Sequence, residues 1–212
     1  MRVDIWSDVI CPWCYLGKAR FEKALAGFDG RDDVEVVYHA FELDPSWPQG
    51  QTMPILDMLA SKYHLSPADA EAAEGQVGGL AKAEGLPFRS DRPLGNTFDV
   101  HRVLALAHDQ GFQHRLLDAV YQAYFGEAAN VFDPETLAKV AATAGLDPDD
   151  IQQLLNGDDY ADEVRQDQEA ASGIGINGVP FYVLDGRLGV SGAQSTETFT
   201  AALQQTLGEP GR

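Results

Sequence analysis

The chain has 212 residues, of which 44% are hydrophobic and 23% charged, a balance that suits a folded globular protein with a substantial core. Its 15 basic and 33 acidic side chains give a formal charge of −18, which argues against nucleic-acid binding and against an anionic membrane surface. No long uncharged apolar run is available to span a bilayer and no apolar leader precedes the first strand, so the expected setting is cytoplasmic.

Arg2–Trp6 reads as a first strand, and Tyr15–Leu25 continues a helix to about Ala26. Val34–Phe41, rich in β-branched and aromatic residues, reads as a second strand. Strand, helix and strand within some forty residues form a βαβ unit. Pro45, Pro48, Gly50 and Pro54 then mark an irregular connection.

From about Met53 to Ser172 the pattern is nearly all helical. The expected helices are Asp57–Tyr63, then Pro67 to Gly85 with Ser66 as N-cap, then a helix capped by Asn96 and running to about Gln110. Phe112–Phe125 comes next, then a helix opened by Asp133-Pro134-Glu135 and stopped by Gly145. Asp147–Asn156 and Asp158–Ser172 complete the set.

Strand signals return at Phe181–Leu184 and Leu188–Val190, around the hairpin turn Asp185-Gly186-Arg187. Ser195–Leu207 reads as a final amphipathic helix, and Gly208–Arg212 is expected to fray. The order βαβ, helical block, ββα gives an α/β fold class. That order is the one expected of a thioredoxin fold (βαβ + ββα) with an inserted all-helical domain: residues 1–48 and 173–212 would form the thioredoxin-like part, and 49–172 the insertion.

Cys11-Pro12-Trp13-Cys14 holds the only two cysteines of the chain. A CxxC pair between a strand and a helix is the thioredoxin-like redox arrangement. At the start of the helix, unpaired N–H groups and the positive end of the dipole favour a thiolate at Cys11. Cys11 is then the nucleophile and Cys14, three residues on, the resolving thiol. Pro12 suits the first helical turn, since it has no N–H to lose. The alternatives are inert buried thiols or half of a zinc site. A zinc site would need two more ligands, and only His39 and His101 offer themselves, so no metal is expected.

Val179-Pro180 is the second element. A proline at a strand start marks either a cis bond or an ordinary trans edge position. Asp4 is the third: buried beneath the pair, it would serve as a proton relay when Cys14 ionises, and otherwise it faces solvent. Asp8 reads as a turn or capping residue. Asn96 to Arg102 is the fourth element, with Asn96 as helix N-cap and either His101 or Arg102 facing the thiols. His39, His64, His108 and His114 read as surface or satisfied core histidines.

These stretches resemble the FrnE-like branch of the DsbA family. The resemblance is carried by Ser7–Gly17, by Gly178-Val179-Pro180 and by Val190-Ser191-Gly192-Ala193-Gln194. Asn96–Arg102 is similar to that branch's Asn-(Ser/Thr)-x-x-Ala-His-Arg stretch, with Val100 where alanine is usual. It implies a dithiol–disulfide oxidoreductase with Cys11 and Cys14 as redox pair and a cis bond at Val179-Pro180. Pro12, Trp13, Val179, Pro180, Asn96 and His101 would line the substrate. Asp4 falls where DsbA has its buried acid, if the loop before Cys11 is one residue longer.

A sister branch, the 2-hydroxychromene-2-carboxylate isomerases and kappa-class glutathione transferases, uses glutathione and carries serine at the nucleophile position. This chain keeps both cysteines. It lacks the extra C-terminal cysteine pair of some FrnE-like proteins.

The leading expectation is therefore thiol–disulfide exchange through a mixed disulfide, with a protein, peptide or small-molecule thiol as partner. No tightly bound cofactor is expected, and glutathione is the candidate co-substrate. The alternatives are a glutathione-dependent isomerase, transferase or polyketide-tailoring enzyme, and a peptide-binding chaperone-like module. Both monomer and homodimer are compatible with the sequence. The direction of exchange depends on a reduction potential, expected nearer the reducing end on compartment grounds.

Overall fold

The computed structural model describes residues 1–208. In chain order the elements begin with β1 (Arg2–Ser7), α1 (Pro12–Ala26), β2 (Glu35–Ala40), β3 (Met53–Pro54), α2 (Ile55–Tyr63) and α3 (Pro67–Ala83). They continue with β4 (Pro93–Leu94), α4 (Phe98–Asp109), α5 (Gln113–Tyr121), α6 (Pro134–Ala144) and α7 (Pro148–Asn156). Last come α8 (Ala161–Gly173), β5 (Phe181–Leu184), β6 (Leu188–Ser191) and α9 (Thr196–Gly208). Of the segment expected to fray, Gly208 ends α9, and residues 209–212 lie outside the described residues.

Two compact units divide the chain: residues 1–43 with 166–212, and residues 44–165. The sequence boundaries at 48/49 and 172/173 thus differ from the structural ones by five to seven residues. The physical reason is α8. Its later turns carry Asp167 and Ala171, which bond and pack against Trp6 and His39 of the first unit.

The first unit is a four-stranded sheet in the order β2-β1-β5-β6. β1 pairs β2 in parallel, and β5 runs antiparallel to both β1 and β6. Asp185 and Gly186 both take positive φ, 49° and 65°, the requirement of a type I′ turn joining β5 to β6. Register sets two chemically different sheet faces, because side chains alternate along a strand.

Val3 and Ile5 of β1 stand opposite Leu184 and Tyr182 of β5, so these four share one face. That face carries the core of α1 and α9. Tyr182 packs on Phe21 (5.4 Å between ring centres) and on Phe199 (4.6 Å), and Phe21 meets Phe199 edge-on at 5.5 Å. Each such aromatic pair adds roughly 0.5–1.5 kcal/mol beyond its area burial. Asp4 and Trp6 point the other way, with Val183 and Phe181 opposite them. There Trp6 forms a cluster with Ala171 and Ile176.

The second unit is mostly helical, and local chemistry starts its helices. The Ser66 hydroxyl accepts from the Asp69 N–H at 3.2 Å, the Asp133 carboxylate from Thr136 at 2.9 Å and Asp147 from Asp149 at 2.8 Å. Each cap is followed by proline at the first helical position. Gly145 closes α6 at φ 103°. One correction concerns β3 and β4, which form a two-residue antiparallel ladder inside the block read as wholly helical. Another concerns the end of α5, where Gln122–Gly126 form a π-helical turn. It presents Tyr124 and Phe125 to the buried Arg92, whose guanidinium lies 5.3 and 4.6 Å from their rings. Arg92 also donates to the Glu74 carboxylate at 2.5 Å and to the Arg89 carbonyl.

Candidate active site

Cys11 is the N-cap of α1, with extended backbone (φ −78°, ψ 113°), and Pro12 fills the first helical position. The Cys11 side chain makes no capping bond to the helix, so its sulfur is left for other chemistry. Its N–H donates to the Asp8 carbonyl at 3.1 Å, and its carbonyl accepts from Cys14 and Tyr15 at 3.0 and 3.2 Å. These bonds wind the first turn and bring Cys14 back beside Cys11, to which it is hydrogen-bonded. Both cysteines are free thiols, 4% and 2% exposed, whereas Trp13 between them is 43% exposed. Trp13 thus stands exposed beside a nearly buried sulfur pair.

The Cys11 thiol points at the Val179 carbonyl, 3.7 Å from Sγ. The Val179–Pro180 bond is cis. The Pro180 carbonyl accepts from the Gly192 N–H at 2.8 Å, which ties the loop to the end of β6. Gly17 permits the close approach of α1: a Cβ there would lie 2.6 Å from the Tyr182 hydroxyl and 3.1 Å from Pro180 Cγ.

Cys14 is held as a neutral thiol by its surroundings. Burial pushes it well above the ordinary thiol range, and the hydrogen bond and charge of Cys11 push it further. Two groups oppose this, a hydrogen bond from the Ser7 side chain and one from the Asp8 backbone. Tyr182 is raised as well, first by burial and then by the charges of Cys14, Cys11 and Glu22. Neither Ser7 nor Tyr182 stands out in the sequence as a site residue. Period-two alternation from Ile5 puts Ser7 on the α1 face, and that is the signal that could have found it. Tyr182 reaches that face through strand pairing, which one strand alone does not reveal.

Asp4 stands elsewhere. It is on the sheet face opposite α1, where its carboxylate accepts from Arg2 Nε at 2.9 Å and lies 2.8 Å from His39 Nε2. Burial alone would raise its pKa, but the bonds to Arg2 and His39 outweigh this and hold it below the usual carboxylate range. A relay to Cys14 requires a carboxyl raised towards neutrality on the α1 face, and the structure provides neither. His39, read as a satisfied histidine, bonds Asp167 Oδ1 at 2.7 Å as well as Asp4. Asp8 is fully buried and its carboxylate accepts from the Leu43 N–H at 2.7 Å.

Asn96, His101 and Arg102 belong to the second unit. Asn96 is not the helix cap. Thr97 takes that position, while Asn96 Oδ1 accepts from Phe98 N–H at 3.0 Å and Nδ2 donates to the Trp47 carbonyl at 2.7 Å. Both ends of the amide are engaged by the loop itself, as in an Asx turn. His101 is buried on α4. Arg102 donates to Asp99 Oδ1 (2.8 Å) and to the carbonyls of Asp159 (2.8 Å), Leu154 (2.6 Å) and Gly157 (2.6 Å). Its guanidinium is therefore committed to holding the end of α7. Among the described residues no cluster of three His, Cys, Asp or Glu is arranged to hold a metal ion. Nor is any described helix long and apolar enough to cross a membrane.

A βαβ and ββα frame with two thiols at the head of α1, facing a proline loop, defines a thioredoxin-like protein of the dithiol type. The chain belongs to the DSBA-like thioredoxin domain family, whose profile matches residues 2–204. It is similar to a probable DsbA oxidoreductase from Streptomyces coelicolor, with 51% identity, TM-score 0.96, and coverage of 100% of this chain and 92% of that one. It also has the fold of a 2-hydroxychromene-2-carboxylate isomerase (17% identity, TM-score 0.74, 98% and 96% covered). The same holds for the cytosolic disulfide reductase DsbM from Pseudomonas aeruginosa, solved with GSH (16%, TM-score 0.67, 98% and 99% covered).

Proposed function

We propose that the protein is a thiol–disulfide oxidoreductase in which Cys11 attacks and Cys14 resolves. The observation that carries this reading is the pair itself: two free, hydrogen-bonded thiols, with Cys11 at the uncapped head of α1. A substrate disulfide accepts the Cys11 sulfur, and its departing half leaves as a thiolate. The mixed disulfide then stands next to Val179 and Pro180, with Trp13 exposed beside it. Cys14 attacks Cys11 Sγ, closes the intramolecular disulfide and releases the second substrate thiolate. The reverse sequence oxidises a substrate dithiol through the same intermediate.

Substrates are protein, peptide or small-molecule thiols and disulfides, and glutathione is the co-substrate we would test first. The motifs around Cys11, Pro180 and Val190–Gln194 support a place in the FrnE-like branch. A cytosolic setting fits a pair that cycles rather than one that staples the fold.

Cys14→Ser removes the resolving thiol and should trap Cys11 as a mixed disulfide with substrate or glutathione under mild oxidation. Mass spectrometry reads the adduct. Absence of any adduct, together with wild-type failure to reduce insulin or to catalyse oxidative refolding, would remove the reading. Turnover of an aromatic chromene substrate that survives Cys11→Ser would replace it with the isomerase alternative.

A further inference from the structure

The resolving thiol has an electrostatic problem that the first cysteine does not share. Cys14 must carry negative charge when it attacks or leaves, yet it is 2% exposed and sits beside another sulfur. The carboxylate that the sequence suggested for this task, Asp4, lies on the other face of the sheet and is engaged by Arg2 and His39.

On the α1 face the last residue of β1 and the first of the adjoining loop take its place. We propose that the Ser7 hydroxyl and the Asp8 main-chain N–H form a two-donor cradle for the Cys14 sulfur, stabilising its thiolate during exchange. This rests on the disulfide-exchange reading and deepens it. Ser7 meets the reacting sulfur and acts catalytically, while the Asp8 carboxylate is a positioning group.

The cradle is built rather than incidental. Both residues are almost fully buried, Ser7 at 6% and Asp8 at 0% exposure. Ser7 stays in parallel register with Ala40, and its carbonyl accepts from the Phe41 N–H at 3.2 Å. The Asp8 carbonyl accepts from Cys11 N–H, and its carboxylate from Leu43 N–H at 2.7 Å. The two donors are therefore clamped between the head of α1 and residues 41–43. Fixed donors aimed at a developing charge need no reorganisation at the moment of reaction, which is the physics of an oxyanion hole. Both donors oppose the burial that keeps Cys14 neutral.

In the resolving step the Cys14 thiolate forms the Cys11–Cys14 bond and breaks the Cys11–substrate bond. The electron pair leaves with the substrate sulfur, the dithiol is oxidised by two electrons, and the Cys14 proton passes to solvent or to the departing thiolate. In reverse, Cys14 departs as a thiolate into the cradle.

The test uses the reduced full chain and the aryl disulfide 5,5′-dithiobis(2-nitrobenzoate), monitored by stopped flow across a pH series. The first aryl thiolate released reports attack by Cys11, and the second reports resolution by Cys14. Ser7→Ala should leave the first phase as in wild type, slow the second about tenfold near neutrality and move its pH midpoint upward. Ser7→Thr, which keeps the hydroxyl, should restore the second phase.

An unchanged second phase in Ser7→Ala overturns the cradle, and so does an equal slowing of both phases, which marks a merely structural role. If Ser7→Ala does not fold, the near-isosteric pair Ser7→Thr and Ser7→Val makes the same comparison. Ultraviolet titration of the single thiolate in the Cys11→Ser background checks the result independently. Wild type that lacks a second phase altogether would instead defeat the exchange reading, a result distinct from failure of the cradle alone.

Discussion

His39 Nδ1 lies 2.7 Å from Asp167 Oδ1 while its Nε2 lies 2.8 Å from Asp4 Oδ1, so one imidazole joins α8 to β1 across β2. Both nitrogens can donate at once only when the ring is protonated. The Trp6 ring stacks on it at 4.7 Å, and Trp6 Nε1 donates to the Asp167 carbonyl at 3.0 Å. Asp167 Oδ2 accepts from the Ala40 N–H at 2.8 Å. Burial lowers the His39 pKa, but the bonds and charges of Asp167 and Asp4 outweigh it, and the net shift is upward.

Proton linkage gives this bridge a definite pH dependence. A raised histidine stabilises the fold fully below its unfolded value of about 6.5, and the contribution fades as pH climbs through the higher folded value. The lowered Asp4 contributes above about pH 3.9 and is lost as pH falls through its folded value. His39→Gln should therefore cost about 1–3 kcal/mol at pH 5–6 and clearly less at pH 8–9. Urea unfolding of both proteins across that range measures it. A gap that widens with rising pH would contradict the imidazolium bridge.

Gly17→Ala should destabilise the fold by about 1–3 kcal/mol, since the added carbon meets the Tyr182 hydroxyl at 2.6 Å. Tyr182→Phe in the same chain removes that oxygen and should recover part of the loss, leaving the milder Pro180 contact at 3.1 Å. Thermal unfolding of the two variants checks the order. A double variant no more stable than Gly17→Ala would show that the hydroxyl is not the obstacle.

In the second unit, Arg92→Met strands the buried Glu74 carboxylate and should cost about 3–5 kcal/mol. Glu74→Leu added to it removes the stranded charge and should restore most of the stability. A double-mutant cycle by denaturant unfolding gives the coupling. Additive losses would mean that the pair does not act as a unit.

Arg102→Ala frees four acceptors, three of them main-chain carbonyls around the end of α7. A loss of about 2–4 kcal/mol is expected, with the aryl-disulfide phases of the folded fraction unchanged. Slowed exchange at unchanged stability would return Arg102 to the thiol-facing role that its place beside His101 suggests.

Capping and periodicity make most helices legible in the sequence, because Ser66, Asp133, Asp147 and Gly145 act on their own neighbours. The CxxC pair and Val179-Pro180 are legible for a similar reason: each announces itself within four residues. The β3–β4 ladder is not, since each strand is two residues long and both contain proline. Asn96 reads as a cap, yet its amide serves Phe98 and a partner 49 positions away, Trp47. The true surroundings of Asp4 are hidden for a deeper reason. Which face of β1 meets α1 depends on the packing of β5, α8 and α9, and its partner His39 comes from another strand. Alternation puts Ser7 on the face of Ile5, but only the packing brings Cys14 to it there.

The π-helical turn at Gln122–Gly126 gives this part of the chain an unusual freedom in length. Such a turn carries one residue more than a regular helix does over the same path. Deleting one of these five residues would let the segment close as regular α-helix with the flanking chain kept in place, whereas the same deletion in a regular helix would rotate everything downstream by roughly 100°. The cost would be local, since this turn presents Tyr124 and Phe125 to the Arg92 guanidinium. Single-residue gaps here should thus disturb the packing around Arg92 rather than the course of the chain that follows.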